Sequence, residues 1–249
     1  MSIALVTGAT AGLGRAFADA LANEGHDLVI VARDVARLDA VAEELSYTYR
    51  IHVQVVPADL SNNGERGVVE DRLRSETDPV GILVNNAGLG VNQAFVGGDL
   101  LGEQQMIDVM VTTPMRLCHA ALPGMVARGT GAVLNISSVA GWIPAGTYSA
   151  AKAYTTVFTE SLATELAGTG VTATAVCPGF TRTEFHGRAG MNMEKVPDFM
   201  WLDAQDVVSQ ALKDAKKGRP ISIAGSQYQA LQLTAKLAPR AIVRKLARP

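Results

Sequence analysis

Cysteine is scarce in this chain. Cys118 and Cys177 are the only two thiols in 249 residues, which excludes a disulfide framework and a thiolate metal centre. Each lies in an apolar run, where a buried free thiol is the expected state. The four histidines, at positions 26, 52, 119 and 186, show no ligand spacing, so no metal site is expected. No uninterrupted apolar run reaches the ~18 residues of a membrane span. The opening Met1-Ser2-Ile3-Ala4-Leu5-Val6-Thr7-Gly8 lacks the basic flank and long apolar stretch of a signal peptide, and a cytoplasmic location is expected. The net charge of −2 gives no global pull toward nucleic acid. No internal repeat and no linker divides the chain, and one domain over residues 1–249 is predicted.

Charge is nevertheless unevenly placed. From Lys213 onward nine basic residues face one acid, giving +8 there and −10 in residues 1–212. Within that stretch, residues 226–249 read as a basic amphipathic segment, with apolar Leu231, Leu233, Leu237, Ile242, Val243 and Leu246 among the cations. Such a pattern suits a helix closing the sheet edge or a subunit contact, with peripheral membrane contact as the alternative.

What is present is alternation. Short apolar runs, rich in β-branched residues, recur at Ile3–Val6, Leu28–Val31, Val53–Val56, Ile82–Val84, Ala132–Ile136, Val171–Val176 and Ile221–Ile223. Continuous apolarity is what strands buried on both faces require. Between them, helical spacing appears over residues 12–24, 35–47 and 148–167. The pattern predicts an α/β fold: a doubly wound, Rossmann-type parallel sheet flanked by helices. Ligands of such sheets bind beyond the carboxyl ends of the strands. Residues 184–202, rich in Met, Gly and Pro with little periodicity, read as a substrate lid loop.

The strand ends carry the chemistry. Thr7-Gly8-Ala9-Thr10-Ala11-Gly12-Leu13-Gly14 joins the first strand to the first helix. Gly8 permits a tight turn, Gly12 lets backbone approach a pyrophosphate, and Gly14 lets helix and strand pack closely. Thr10 and Leu13 belong to the same cradle. The second strand ends Val31-Ala32-Arg33, with Ala32 where an acid would read the ribose hydroxyl of NAD. Arg33 and Arg15 instead suit a 2′-phosphate, favouring NADP(H) over NAD(H), although Asp34 is a rival partner for Arg33. Asp59 and Leu60 follow the third strand, where an adenine amino group would be read. Asn86, Ala87 and Gly88 follow the fourth, beside the dinucleotide's path.

Tyr148 and Lys152 are four apart, on one face of a predicted helix, and form the only Tyr-x-x-x-Lys in the chain. Reducing a ketone needs a proton for the developing alkoxide, and a phenol near pKa 10 is a slow donor unless tuned. A neighbouring ammonium is expected to lower that value. Ser138, after the fifth strand, is placed to hold a carbonyl oxygen.

Taken together, Thr7–Gly14, Asn85–Gly88, Ser138, Tyr148, Lys152 and Pro178-Gly179 make the sequence resemble the short-chain dehydrogenase/reductase family. The resemblance runs to about Thr183 and again over Leu202–Ile223. It implies that Tyr148 is the acid/base, that Ser138 positions the carbonyl, and that Lys152 binds the nicotinamide ribose. Pro178, Gly179, Thr181 and Thr183 would border the nicotinamide, the two threonines near its carboxamide. It also implies a homo-oligomer, dimer or tetramer, built on long helices around residues 100–127 and 148–167. Two departures stand out. Ser138 and Tyr148 are ten apart, about three closer than usual, shortening the loop 141–147. Met110 stands where an asparagine usually helps hold a water that feeds protons to the lysine, and a thioether cannot donate a hydrogen bond. A catalytically weak NADP(H)-binding sensor is therefore the alternative to an enzyme. Phe95, Trp142, Ile143, Phe185, Met191, Met193, Phe199, Met200 and Trp201 suggest an apolar pocket for the small-molecule substrate.

Overall fold

The computed structural model describes residues 2–239, 241, 243 and 244. The seven apolar runs are strands: β1 Ile3–Thr7, β2 Asp27–Ala32, β3 Val53–Pro57, β4 Val80–Asn85, β5 Gly131–Ile136, β6 Val171–Val176 and β7 Ile221–Ser222. They pair in parallel in the order β3-β2-β1-β4-β5-β6-β7. Side chains alternate faces along each strand, so one run feeds two cores. Ala4, Val6, Leu28 and Ile30 point to one face, whereas Leu5, Val29 and Val31 point to the other.

The first face is covered by α1 (Gly12–Asn23), α2 (Val35–Tyr49) and α8 (Ala204–Lys216), through Phe17, Leu21, Leu38, Leu45, Val207 and Val208. The second is covered by α3 (Asn63–Arg74), α5 (Thr113–Arg128) and α6 (Gly146–Glu165), through Val69, Leu73, Leu117, Met125 and Leu162. Strand order reverses at β1, whose neighbours are β2 and β4. The crevice beyond the carboxyl ends of β1 and β4 is the switch point where this architecture receives ligands.

Three elements depart from the expected pattern. The helix anticipated around residues 100–127 is broken: α4 (Leu100–Ile107) and α5 are joined by a π turn over Asp108–Thr112. The lid contains a single helical turn, α7 (Phe185–Arg188), and a short 3-10 turn at Asp198–Met200. The C-terminal segment forms α9 (Ser226–Leu237), with Leu233 and Leu237 exposed and Tyr228 buried. Arg240, Ile242 and Lys245–Pro249, part of the predicted amphipathic segment, lie outside the described residues. No described helix is long and apolar enough to cross a membrane.

Candidate active site

The glycine turn is built as its spacing predicted. Gly8 has φ +67° and Gly12 φ +54°, left-handed values that favour glycine. A Cβ at Gly14 would stand 2.1 Å from the Gly8 carbonyl oxygen and 2.4 Å from Asn86 Nδ2, so no other residue fits. Asn86 braces the turn from β4: its amide donates to the carbonyls of Thr7 (2.9 Å) and Gly8 (3.2 Å). The Thr7 hydroxyl accepts from the backbone N–H groups of Asn86 and Ala87 at 2.9 and 3.0 Å. The N-terminus of α1 has no side-chain cap and no acid in its first turn. Its free N–H groups suit a phosphate. Leu13 packs into the core, so its part in that cradle is its backbone. Thr10 is half-buried in the same turn.

At the far end of the crevice the two expected cations separate. Arg15 is spent: its guanidinium bonds Asp19 at 2.9 Å and Glu44 at 2.8 Å, and these carboxylates hold it firmly protonated. A 2′-phosphate would have to compete with both carboxylates for Arg15, which leaves Arg33 the readier partner. Arg33 is exposed and has no hydrogen-bonded carboxylate among the described residues. Asp34 does not take it, because its side chain caps α2 by accepting from Arg37 N at 3.1 Å. Asp59 accepts from the Ser61 N–H (2.9 Å) and hydroxyl (2.7 Å). Burial would raise its carboxyl, but Ser61 and the nearby Arg33 charge hold it below the usual range. Leu60 is buried, and its carbonyl accepts from Thr113 Oγ1 at 2.9 Å and Arg66 at 3.1 Å. A turn with no room for a Cβ at Gly14, an uncapped helix start and an open guanidinium fit a phosphorylated dinucleotide.

At the centre, β5, α6 and the turn after β6 converge. Ser138 caps a 3-10 turn over Val139–Trp142, accepting from Ala140 N at 3.1 Å, and its hydroxyl lies 3.5 Å from the Pro178 carbonyl oxygen. Gly141 lets that turn rest on α6, where a Cβ would stand 2.9 Å from the Lys152 and Ala153 backbone. The short loop therefore still brings Ser138 to Tyr148. Burial pushes the Tyr148 phenol up to about 12, with the Ser138 hydroxyl pulling the other way. Lys152 is 6% exposed; burial brings its ammonium down to about 8. Its Nζ donates to the Ile136 carbonyl at 2.7 Å and stands 5.6 Å from the centre of the Tyr148 ring. The expected lowering of the phenol by Lys152 does not appear: burial sets the direction, only the Ser138 hydroxyl opposes it, and the ammonium's hydrogen bond goes to Ile136.

Ser137, His186, Glu184 and Asn92 were not singled out in the sequence as contributors. The buried Ser137 hydroxyl bonds the Lys152 carbonyl and Thr156 Oγ1, both at 2.7 Å, anchoring α6 to β5. The Phe185 ring lies tilted by 42° with its centre 5.9 Å from that of Tyr148, and His186 lies edge-on to Trp201 at 5.4 Å, which makes the lid an aromatic wall. Thr183 sits over Gly12, where a Cβ would be 3.1 Å from the threonine Cβ, placing it at the glycine turn. Thr181 is buried and donates to the Gly179 carbonyl at 3.0 Å. Glu184 pairs with Arg37 at 3.1 Å, and Asn92 donates to the Gly190 carbonyl at 2.8 Å, so the lid is tied on both sides of the crevice. Of the residues expected to line an apolar pocket, Trp142 and Met200 pack with Tyr228, while Phe95 and Phe199 are exposed. Met110, 2% exposed at the centre of the π turn, packs with Met106, Val109 and Ala151, and Gly88 faces its sulfur.

Comparison with known proteins places the chain in a family. The sequence model of the short chain dehydrogenase family matches residues 2–194. Sulfoacetaldehyde reductase 2 of Chromohalobacter salexigens is 40% identical over 188 residues, 74% of each chain. A solved short-chain dehydrogenase from Sphingobium yanoikuyae, in complex with NADPH, superposes with a TM-score of 0.86 at 35% identity, covering 95% of this chain and 94% of that one. The bulky-bulky ketone specific alcohol dehydrogenase from Comamonas testosteroni gives 0.81 at 30% identity, over 100% and 99%.

Proposed function

The chain belongs to the short-chain dehydrogenase family of oxidoreductases, and on that premise we propose an NADP(H)-dependent reductase of apolar ketones or aldehydes with Ser138, Tyr148 and Lys152 as its catalytic residues. The observation that carries this reading is their convergence at the carboxyl ends of β5 and β6, beside a glycine turn with no room for a side chain at Gly14. The chemistry that such a dinucleotide supplies when bound is hydride transfer to or from a carbonyl carbon. Gly8, Gly12, Gly14, Asn86, Ala87 and Gly88 would line its backbone, with Pro178, Gly179, Thr181 and Thr183 toward the nicotinamide. Arg33 and Asp59 would meet its adenosine end.

The rest follows from this chain's own side chains. With its phenol pushed up to about 12, Tyr148 is protonated at neutral pH and suits an acid that gives its proton to the carbonyl oxygen during reduction. Ser138 holds that oxygen by a hydrogen bond that strengthens as negative charge develops. Lys152, at about 8, is the readiest neighbouring source to replace the tyrosine's proton. Phe185 and Trp201 exclude water, which favours an apolar substrate. A homo-oligomer through α5 and α6 fits the exposed Met115, Val126 and Val157 on those helices. The sensor alternative rests on Met110 alone.

The test is a panel of carbonyl compounds followed by loss of NADPH absorbance, repeated with Tyr148→Phe. Turnover by the wild type and at least a ~100-fold loss in the variant, with NADPH affinity nearly intact, is the expected result. Wild-type kcat in the phenylalanine variant would refute the assignment.

A further inference from the structure

The segment from Phe180 to Met200 carries Phe185 onto the Tyr148 ring, and one side chain from the last helix ties both of its ends. Tyr228, in the first turn of α9, is 1% exposed. Its hydroxyl accepts from the Phe180 N–H at 3.0 Å and donates to the Met200 carbonyl at 2.6 Å. The ring occupies a slot that exists only because residue 179 is glycine: a Cβ there would lie 2.0 Å from the ring. Gln227 adds a bond to the Phe199 carbonyl at 3.2 Å. The lid's base is also closed by Leu202 N to the Phe180 carbonyl (2.8 Å) and Arg182 N to the Leu202 carbonyl (3.0 Å).

From that base an aromatic chain leads to the reacting phenol. Phe180 touches His186 (5.9 Å) and Trp201 (6.0 Å), His186 touches Phe185 (5.6 Å), and Phe185 touches Tyr148 (5.9 Å). Contacts of this kind transmit a shift at the base because close-packed rings leave little room for compensation. We propose that Tyr228 is a positioning residue for the reaction, its hydroxyl locking the two ends of the lid together and so setting Phe185 over Tyr148 and the opening through which substrate enters. The proposal rests on the Tyr148 site described above.

A hydroxyl that donates and accepts at once is hard to replace. Without it, a half-buried N–H and a half-buried carbonyl lose their partner, and the two lid ends part to reach water. Lids act by such shifts of population between closed and open forms.

Tyr228→Phe keeps the ring in its slot and removes only the oxygen. Hydrogen exchange of the cofactor-free variant should show amides of residues 180–201 exchanging about tenfold faster, with the sheet strands unchanged. On the best wild-type substrate, KM should rise about tenfold with kcat within about twofold. Gln227→Ala, which touches only the solvent side, should move both readouts the same way by about twofold, and it serves should the first variant fold poorly. Unchanged lid exchange in both variants would overturn the proposal. Faster exchange with unchanged KM would also overturn it, leaving Tyr228 a tether without a part in the reaction. The exchange arm needs no turnover, so a wild type inert toward every carbonyl would sink the reductase reading while the tether is judged on its own.

Discussion

Lys152 pulls its host in two directions. Its value of about 8 in the folded chain lies below the ordinary 10.5, because burial penalises the ammonium. Below pH 8 the group is charged in both folded and unfolded states, and folding bears the whole desolvation cost, on the order of 3 kcal/mol. That cost fades as pH rises from about 8 to 10.5, so this group makes the protein more stable toward alkali. Lys152→Met should therefore raise stability at pH 7 by roughly 1–3 kcal/mol, less the lost bond to Ile136, while abolishing reduction. In the wild type, kcat/KM for reduction should be flat below pH 8 and fall above it. A lower melting temperature in the methionine variant, or a profile level through pH 9 ± ~1, would contradict this account. Arg33 shows how a residue's neighbours decide its use. It and Arg15 looked alike in sequence, yet Asp19 and Glu44 take Arg15, and Asp34 turns to cap α2. Arg33→Asp should weaken NADPH binding by about 1–3 kcal/mol and shift preference toward NADH, read by fluorescence titration of both. Equal NADPH affinity in mutant and wild type would show that Arg33 points elsewhere.

At the scale of elements, strands and their following turns were legible because burial on both faces forces continuous apolarity and a glycine turn admits few alternatives. Helix α3 was not singled out, and its composition explains why. Two of its four buried residues are Arg66 and Glu70, an i,i+4 pair in which Glu70 also receives Arg74 and Arg116, so its inward face carries a weak apolar signal. The break between α4 and α5 was equally hidden, since a π turn inserts one extra residue without changing composition. Thr113 marks it: its hydroxyl reaches the carbonyls of Asp108 and Leu60, both at 2.9 Å. Met110 sits at that turn's centre with its side chain in apolar surroundings and its carbonyl 3.4 Å from the Thr155 hydroxyl. Met110→Asn is accordingly expected to destabilise by about 1–3 kcal/mol without raising kcat, the amide being buried without a partner. Calorimetry and kinetics on one sample decide it: an increased kcat would restore the idea of a proton path that the thioether interrupts.

For the molecule as a whole, the reversal of strand order at β1 gathers residues from positions 8 to 183 around one crevice. The lid then spans it, held by Arg37 of α2, Asn92 after β4 and Tyr228 of α9. The sequence by itself determined the strand runs, the glycine turn and the Tyr148–Lys152 pair, because each depends on spacing within a few residues: period two, a turn's φ, one helical repeat. Ion-pair partners, pKa values and lid tethers join positions as far apart as Glu24 and Lys216, 192 residues, or Arg37 and Glu184, 147 residues. Only the tertiary structure decided those. Which carboxylate reaches which guanidinium, and how much water reaches a phenol, depends on packing between elements that no local pattern encodes.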